Sequence, residues 1–278
     1  MNFRPLKARL DSARDRISGW MRAGIEVWAE FNRHDGLQAA AALSFYAFLS
    51  IFAILILGMG ILGLVFRGRP DLVGRALDYL AGNLPGIRAV VEEAIETSIN
   101  RGTVISLIGI LGLLYTSTKV TDSLQVWMNR LWEREKPKWP RKKAKSLVIL
   151  AVFGSAILAG FGAHYLATLA TGWSAVLEIL LLLASYILAT FLQFVALCFI
   201  YSYAVEKGPG LRESWKGALF SSLLLNPLQL AITWYYSSLG DLAVVYGSLA
   251  GVVIAILSFY YMAVIILLGA TLVKRVRS

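Results

Sequence analysis

Asn226 and Pro227 stand near the middle of an apolar stretch that contains no charged residue. Proline lacks a backbone donor and crowds the carbonyl of Leu223, so the peptide groups around it lose helical partners. The Asn226 amide offers both donors and an acceptor, as does Gln229 shortly after it. This combination predicts a site where a polar group replaces the missing backbone partners. Gln193, in another apolar stretch, can face that site.

Two pairs of ionisable residues lie at the ends of apolar stretches. Lys119 and Asp122 are three residues apart, on one face of a helix, and can partly neutralise each other. They either line a vestibule for a charged group or are end residues whose charges reach water. His164 and Glu178 flank one turn and lie at similar depth on neighbouring antiparallel helices. They form either a proton-relay pair or two residues hydrated at a surface.

The composition of the whole chain indicates what kind of molecule holds these residues. Of 278 residues, 58% are hydrophobic and 16% are charged, against about 45–50% and 25% in soluble domains. The net charge is nevertheless +10. Soluble nucleic-acid binders carry such charge on polar surfaces, whereas membrane proteins combine apolar spans with basic inner loops. The single cysteine, Cys198, excludes an internal disulfide and a cysteine-based zinc site. The sequence therefore predicts an integral membrane protein.

Six apolar stretches, each with at most one charged residue, are suited to cross a bilayer core of about 30 Å as helices. The predicted fold is all-α, a polytopic bundle of six transmembrane helices. A β-barrel alternates polar and apolar residues along each strand, and these stretches do not. The predicted spans cover about residues 36–66, 102–121, 146–170, 175–203, 215–238 and 243–273, within a membrane domain of residues 35–273.

Positive charge is distributed unequally between the two sides of this bundle. When the connections are assigned alternately, 22 lysines and arginines fall on the side of both termini and 5 on the other side. The positive-inside rule then predicts that the N-terminus and the C-terminal tail, residues 274–278, are cytoplasmic. The first apolar run is longer than the apolar core of a signal peptide, about 7–15 residues, and predicts an uncleaved anchor.

Three segments outside the spans have patterns of their own. Residues 1–34 are basic and amphipathic, which predicts a helix in the headgroup plane or a topogenic segment packed on the bundle. The outer loop, residues 67–101, has two amphipathic patterns around a turn at residues 83–86 and predicts two outer helices. The basic inner loop, residues 122–145, predicts contact with anionic headgroups, enforcement of topology or, as a third interpretation, RNA binding. Its headgroup contacts are assigned to Arg141, Lys142, Lys143 and Lys145.

Three stretches follow one another in a distinctive order. The first is DGLQAAAALSFYAFLSIF at residues 35–52, the second is MNRLW at residues 128–132, and the third is YGSLAG at residues 246–251, which leads to Leu268-Gly269-Ala270. In this order and spacing they resemble the YihY/virulence factor BrkB family of bacterial inner-membrane proteins, over residues 20–273. Family members commonly have proline where this chain has Ala53, so a proline kink is not expected there.

The resemblance implies a multi-pass protein of the cell inner membrane with a role in envelope integrity. Some members of the family are suspected of moving lipids, and an old label for the family is ribonuclease BN. A metal-dependent nuclease needs converging histidine and carboxylate ligands. This chain has two histidines, His34 and His164, which the predicted topology separates by a bilayer. Phosphate-loop and nucleophile-elbow motifs are absent. We therefore expect no enzyme activity, no catalytic residue, no metal and no cofactor.

The predicted function is envelope maintenance, by translocation of lipid or of an amphipathic solute. The alternative is a structural or scaffolding membrane protein without a transport cycle. A transporter needs a polar cavity that reaches the middle of the bilayer, whereas a scaffold has a dry, packed centre. The expected partners are membrane lipids with anionic headgroups, oligomerisation is compatible with the sequence, and nucleic acid is not expected. The candidate cavity residues are Asn226, Pro227, Gln229, Gln193, Lys119, Asp122, Tyr46 and Ser50.

Overall fold

The computed structural model describes residues 22–66, 88–134, 139–168, 175–238 and 248–277. Every regular element among these residues is a helix, which confirms the prediction of an all-α protein. A short N-terminal helical segment, residues 22–33, precedes six long helices. These are α1 (Gly36–Phe66), α2 (Arg88–Leu131), α3 (Trp139–Thr168), α4 (Ala175–Tyr203), α5 (Leu211–Ser238) and α6 (Ser248–Arg277).

Five of the described helices are long and apolar enough to cross a membrane, as expected of a polytopic membrane protein. By length and composition these spans are Gly36–Ile61, Asn100–Leu131, Pro140–Gly160, Ile179–Tyr203 and Val252–Val276. Helix α5 has the length of a span, but Asn226, Pro227 and Gln229 interrupt its apolar residues and lower its mean hydropathy. The count of six spans and the cytoplasmic termini stay predictions.

Helix α2 is longer than the predicted second span at both ends. Its 44 residues take in the last part of the predicted outer loop and the first part of the predicted inner loop. After Leu131 the chain turns at Glu133, whose φ of 53° lies in the left-handed region, and α3 begins at Trp139. The inner connection between the helices is therefore residues 132–138, much shorter than the predicted 122–145. The basic residues that follow Trp139 are helical rather than part of a loop.

The chain divides into two compact units, Ser44–Val120 and Met1–Leu43 with Thr121–Ser278. Within Ser44–Val120, small residues bring α1 and α2 into close backbone contact. A Cβ added at Gly60 would overlap the backbone of Ser106. These positions let two apolar helices approach more closely than larger side chains permit, as is common between membrane helices.

The other unit contains α3 to α6, in which α4 packs along α3 and α5, and α5 packs along α6. The closest approach of α5 and α6 is at Gly217 and Gly269, where a Cβ added to Gly269 would lie 2.8 Å from the Gly217 carbonyl oxygen. Beside it, the buried Tyr201 hydroxyl of α4 donates to the Ile266 carbonyl at 2.7 Å and lies 2.8 Å from Ser221 Oγ. Three helices thus meet at one buried polar contact.

Candidate functional site

One face of α5 carries a polar stripe along an otherwise apolar helix. The stripe comprises Ser222, Asn226, Gln229 and Thr233, which follow one another at steps of four, three and four residues. Such steps place side chains on one helical face. Ser222 is buried, Asn226 is half-buried, and Gln229 and Thr233 are exposed. The stripe therefore leads from the packed interior of its unit to the surface.

Helix α4 contributes a second row of polar groups against this stripe. Thr190 Oγ1 donates to Asn226 Oδ1 at 3.5 Å, and Asn226 Nδ2 donates to the Ser222 carbonyl at 3.0 Å. Gln193 is half-buried and follows Thr190 by three residues, so the two share a helical face. The sequence indicated that Gln193 can face this site, and the α4 residue in contact with Asn226 is Thr190. We call Thr190, Gln193 and the four residues of the α5 stripe the seam.

Thr190 gave no signal in the sequence, because threonine inside a helix commonly bonds its own backbone. Its hydroxyl does so here, with the Tyr186 carbonyl as acceptor at 2.9 Å. The same oxygen contacts the Asn226 amide across the helix interface. The only sequence feature that pointed to this contact was the asparagine on the neighbouring helix.

Pro227 lies inside α5 without ending it, since the helix runs on to Ser238. The Leu223 carbonyl nevertheless has no amide donor from position 227. Both Pro227 and Gln229 are exposed. Hydrocarbon cannot supply a donor to a free carbonyl, so such a site in a membrane calls for a polar molecule or another protein group. The predicted break in the helix is thus a local loss of one hydrogen bond beside the seam.

Three further candidate cavity residues belong to the unit Ser44–Val120. The ammonium of Lys119 lies 5.3 Å from the centre of the Tyr115 ring, a cation–π distance. The Ser50 hydroxyl donates to the Ala47 carbonyl of its own helix. Tyr46 is half-buried. That these three residues line a cavity stays a prediction.

Asp122 connects the end of α2 to the beginning of α3. Its Oδ2 accepts a hydrogen bond from Lys143 Nζ at 2.9 Å and lies 3.4 Å from Lys142 Nζ, while Oδ1 accepts from Ser146 Oγ at 2.9 Å. The sequence suggested Lys119 as the neutralising partner. The ion pairs go to α3 instead, because the short connection returns the basic first turns of α3 alongside α2.

The basic residues at the start of α3 have internal partners that the sequence did not reveal. Lys145 Nζ lies 2.9 Å from Glu206 Oε1 and 5.5 Å from the centre of the Tyr203 ring. With the two lysines on Asp122, three of the four residues assigned to lipid headgroups therefore make ion pairs within the protein. Arg141 is exposed. Headgroup contact stays a prediction for all four, with Arg141 as the most accessible of them.

The MNRLW stretch contains a buried residue that sequence reasoning missed. Asn129 is fully buried, and its Nδ2 donates to the carbonyls of Gln125 at 2.7 Å and Ala204 at 3.2 Å. Its Oδ1 accepts the backbone N–H of Glu206 at 2.9 Å. One amide thereby fixes the chain as it leaves α4. The asparagine in MNRLW was the available signal, but a helical pattern alone does not show which distant turn it contacts.

The N-terminal helical segment is attached to the end of α6 and to α2. Lys274 Nζ lies 2.6 Å from Glu30 Oε1, and Trp127 Nε1 donates to the His34 carbonyl at 2.9 Å. Phe31 is fully buried. The hydrogen bond from Lys274 lowers the pKa of the Glu30 carboxyl, against a smaller opposing effect of burial. Residues 22–33 are thus packed on the protein rather than separate from it.

Several predictions concern side chains outside the described residues. The side chains of His164 and Glu178 are among them, although their backbones belong to α3 and α4. The predicted outer loop is described only from residue 88 onward, as the start of α2. In the described part of the chain, no group of three or more His, Cys, Asp or Glu is placed to hold a metal ion.

Comparison with known proteins gives one family. The profile of the family described as Virulence factor BrkB matches residues 27–276. A "UPF0761 membrane protein" of Alkalilimnicola ehrlichii is 26% identical over 93% of this chain and 60% of its own length. The "Inner membrane protein YhjD" of Escherichia coli is 26% identical over 40% of this chain and 34% of its own length.

A relative from Bacillus subtilis carries a different kind of name. It is called a ribonuclease-like protein, YfkH, and is 21% identical over 88% of this chain and 91% of its own length. The chain spans about 60% of the length of the Alkalilimnicola relative. No solved structure matches the chain.

Proposed function

Because this chain belongs to the virulence factor BrkB family of membrane proteins, we propose that it maintains the bacterial envelope by moving a lipid or another amphipathic molecule across the inner membrane. Its substrate would place a polar headgroup on the seam while its apolar chains stay in the bilayer. The proposal includes a location in the cell inner membrane and a role without catalysis. The relative named as an inner membrane protein supports the location.

The observation that carries this proposal is the polar stripe on α5. Asn226 lies about ten residues after Lys216, which is roughly 15 Å along a helix and close to half of a 30 Å hydrocarbon core. Uncharged polar groups at that depth are expensive unless protein or a polar ligand satisfies them. Gln229 and Thr233 are nevertheless exposed. A stripe that is exposed and polar along an apolar helix is suited to guide a headgroup through hydrocarbon.

The alternative proposal is a scaffold without a transport cycle, and it also has an observation in its favour. Tyr201, Ser221 and Gly269 form a buried, tightly packed junction of three helices. Helices joined in this way resist the relative movements that alternating access requires. The seam lies along α4 and α5 beyond this junction. The junction can therefore stay rigid while a headgroup moves along the seam, which is consistent with both the packed junction and the polar stripe.

Reconstitution of the purified chain into liposomes tests the proposal. The double variant Asn226→Leu with Pro227→Ala makes the centre of α5 continuous and apolar. We expect lipid movement between leaflets to slow by about tenfold or more. Loss of one hydrogen bond to the moving headgroup would raise the barrier by about 1.4 kcal/mol, which corresponds to a tenfold lower rate. Thermal stability should stay equal or rise, because a helical hydrogen bond is regained.

The matched control is Ser155→Ala on α3, where an exposed serine bonds only its own helix, at the Val152 carbonyl, among the described residues. This variant should keep both lipid movement and stability. If the double variant is stable and moves lipid as fast as the unmodified chain, the seam is not the path. If activity and stability fall in proportion, Asn226 and Pro227 only fit α5 to its neighbouring helices, and the scaffold interpretation is favoured.

A further inference from the structure

The seam is uncharged along its whole length. Neither residues 179–203 of α4 nor residues 217–238 of α5 include an aspartate, glutamate, lysine, arginine or histidine. Helix α6, which packs on α5, has none between Ser248 and Val273. Along these parts of α4, α5 and α6, a ligand on the seam therefore meets amides, hydroxyls and apolar groups, and no ionic partner.

We infer that the seam accepts an uncharged headgroup rich in hydroxyls, such as the sugar of a glycolipid, in preference to an anionic phosphate headgroup. This inference rests on the proposed function and names the chemical class of its substrate. It follows from three properties of the seam: its lack of charge, the free hydrogen-bonding capacity of its amides, and the aromatic ring beside it.

The distance from the seam to the basic residues of α5 argues against a phosphate. Lys216 is the closest basic residue on α5, roughly 15 Å before Asn226 at about 1.5 Å per residue. Its ammonium lies 5.9 Å from the centre of the Trp215 ring, which keeps it near the start of the helix. A phosphate on the seam would therefore lose its hydration without gaining a counter-charge, and that desolvation is strongly unfavourable in a medium of low dielectric constant.

The hydrogen-bonding groups of the seam match hydroxyls. A sugar hydroxyl both donates and accepts, and a side-chain amide offers two donors and an acceptor. In the described part of the chain, the side-chain amides of Gln193 and Gln229 have no hydrogen-bond partner, whereas the Asn226 amide is already occupied by Thr190 and Ser222. Two amides are thus available at membrane depth for a ligand that offers donors and acceptors together.

An exposed aromatic ring continues the same face of α4. Tyr186 precedes Thr190 by one helical turn, and its side chain is 47% exposed. An aromatic ring presents a flat apolar face and, in tyrosine, a polar tip. The C–H face of a sugar ring fits such a surface, while a phosphate gains nothing from it. The arrangement of amides next to an aromatic face therefore favours a sugar over a phosphate.

A comparison of headgroups in one assay tests this inference. The purified full chain is placed in liposomes with traces of three lipids that carry the same fluorophore on an acyl chain, namely monoglucosyldiacylglycerol, phosphatidylcholine and phosphatidylglycerol. Dithionite then reports the rate at which each lipid reaches the outer leaflet. We expect the glucolipid to move at least about tenfold faster than phosphatidylglycerol, a factor that corresponds to about 1.4 kcal/mol in a rate.

The outcomes separate the two proposals. If phosphatidylglycerol moves as fast as the glucolipid or faster, the preference for an uncharged headgroup is overturned while the proposed function stands. If none of the three lipids moves faster than in protein-free liposomes, the proposed function is overturned, and this inference with it. Movement of the glucolipid ahead of both phospholipids supports both proposals.

Two substitutions at Gln229 make the test sharper. Gln229→Ala removes an exposed amide without adding charge, so the glucolipid should slow while phosphatidylglycerol keeps its rate. Gln229→Lys adds a cation on the seam and should raise the rate of phosphatidylglycerol relative to the glucolipid. The matched control is Leu224→Lys, which is exposed on the face of α5 opposite the stripe. Equal effects of the two lysines on headgroup preference, or no effect of Gln229→Ala, would overturn the inference.

Discussion

At the scale of single residues, Asn129 shows how much structure one buried amide maintains. It bonds the Gln125 and Ala204 carbonyls and the Glu206 amide. Asn129→Ala leaves these buried groups without partners, which costs about 1–3 kcal/mol for each unsatisfied group. We expect a clear fall in the Tm of the purified protein in detergent. Asn32→Ala, at an exposed position, serves as the control and should change stability by no more than about 0.5 kcal/mol. A Tm of Asn129→Ala equal to that of the control would contradict this role.

Residue type alone was enough to identify some of the candidate residues, whereas the partners of others became known only from the structure. An asparagine and a proline inside an apolar run are expensive, so the sequence identified Asn226 and Pro227 without a structure. The type of Asp122 did not disclose its partners, because Lys142 and Lys143 approach it only through the fold of the α2–α3 connection. Local patterns therefore identified the polar members of the seam, and tertiary structure was needed for the ion pairs.

At the scale of helices, the contact between α5 and α6 depends on two glycines. A Cβ on Gly269 would lie 2.6 Å from the Tyr201 hydroxyl and 2.8 Å from the Gly217 carbonyl oxygen. Gly269→Ala should therefore separate the helices and lower stability by about 1–3 kcal/mol. Gly154→Ala on α3 is the matched control, because a Cβ there meets nothing within 4 Å and alanine favours a helix by about 1 kcal/mol. Thermal unfolding of both variants checks the prediction, and a stable Gly269→Ala would contradict it.

The positions of the helices were predicted from the sequence more accurately than the residues at which they begin and end. Apolar stretches of suitable length predicted the positions of α1 and of α3 to α6, because hydrophobic length is a strong signal. The extension of α2 to Leu131 was not predicted. Its last turns carry Asp122, Asn129 and Arg130, and these polar residues led to the prediction of a loop. Those turns are helical because their polar side chains find partners on α3 and in the turn after α4.

At the scale of the whole molecule, the N-terminal segment and the last helix meet where Glu30 accepts a hydrogen bond from Lys274. This contact lowers the pKa of Glu30 from its ordinary value of 4.5. Its contribution to stability is therefore complete above about pH 4.5 and is lost as the pH falls through the lower pKa of the folded state. We expect the Tm to decrease from about pH 6 to about pH 3, and Glu30→Gln to start lower and decrease less. Glu213→Gln, at the start of α5, is the control, because its side-chain oxygen can still accept from the Gly210 N–H. Equal slopes for Glu30→Gln and the unmodified chain would contradict the assignment.

The same contact bears on how often the chain crosses the membrane. Glu30 pairs with Lys274, and Arg275 pairs with Glu26, so residues 22–33 and the end of α6 lie next to each other, as the prediction of both termini on one side requires. A chain whose ends lie on one side crosses an even number of times. Five helices qualify as spans by length and apolarity, and α5 supplies the sixth if it crosses in spite of Asn226 and Pro227.

Reporter fusions decide between these arrangements. The distribution of 22 basic residues on one side and 5 on the other predicts a cytoplasmic location for both ends. Fusions after Trp139 and Gly208 should then report a cytoplasmic location, and fusions after Ser174 and Leu239 an outer one. The fusion after Leu239 is decisive for α5, because a helix that fails to cross would keep that position in the cytoplasm. A cytoplasmic signal there, with an outer signal after Ser174, would also remove the seam from membrane depth, since Asn226 would no longer lie between two headgroup layers.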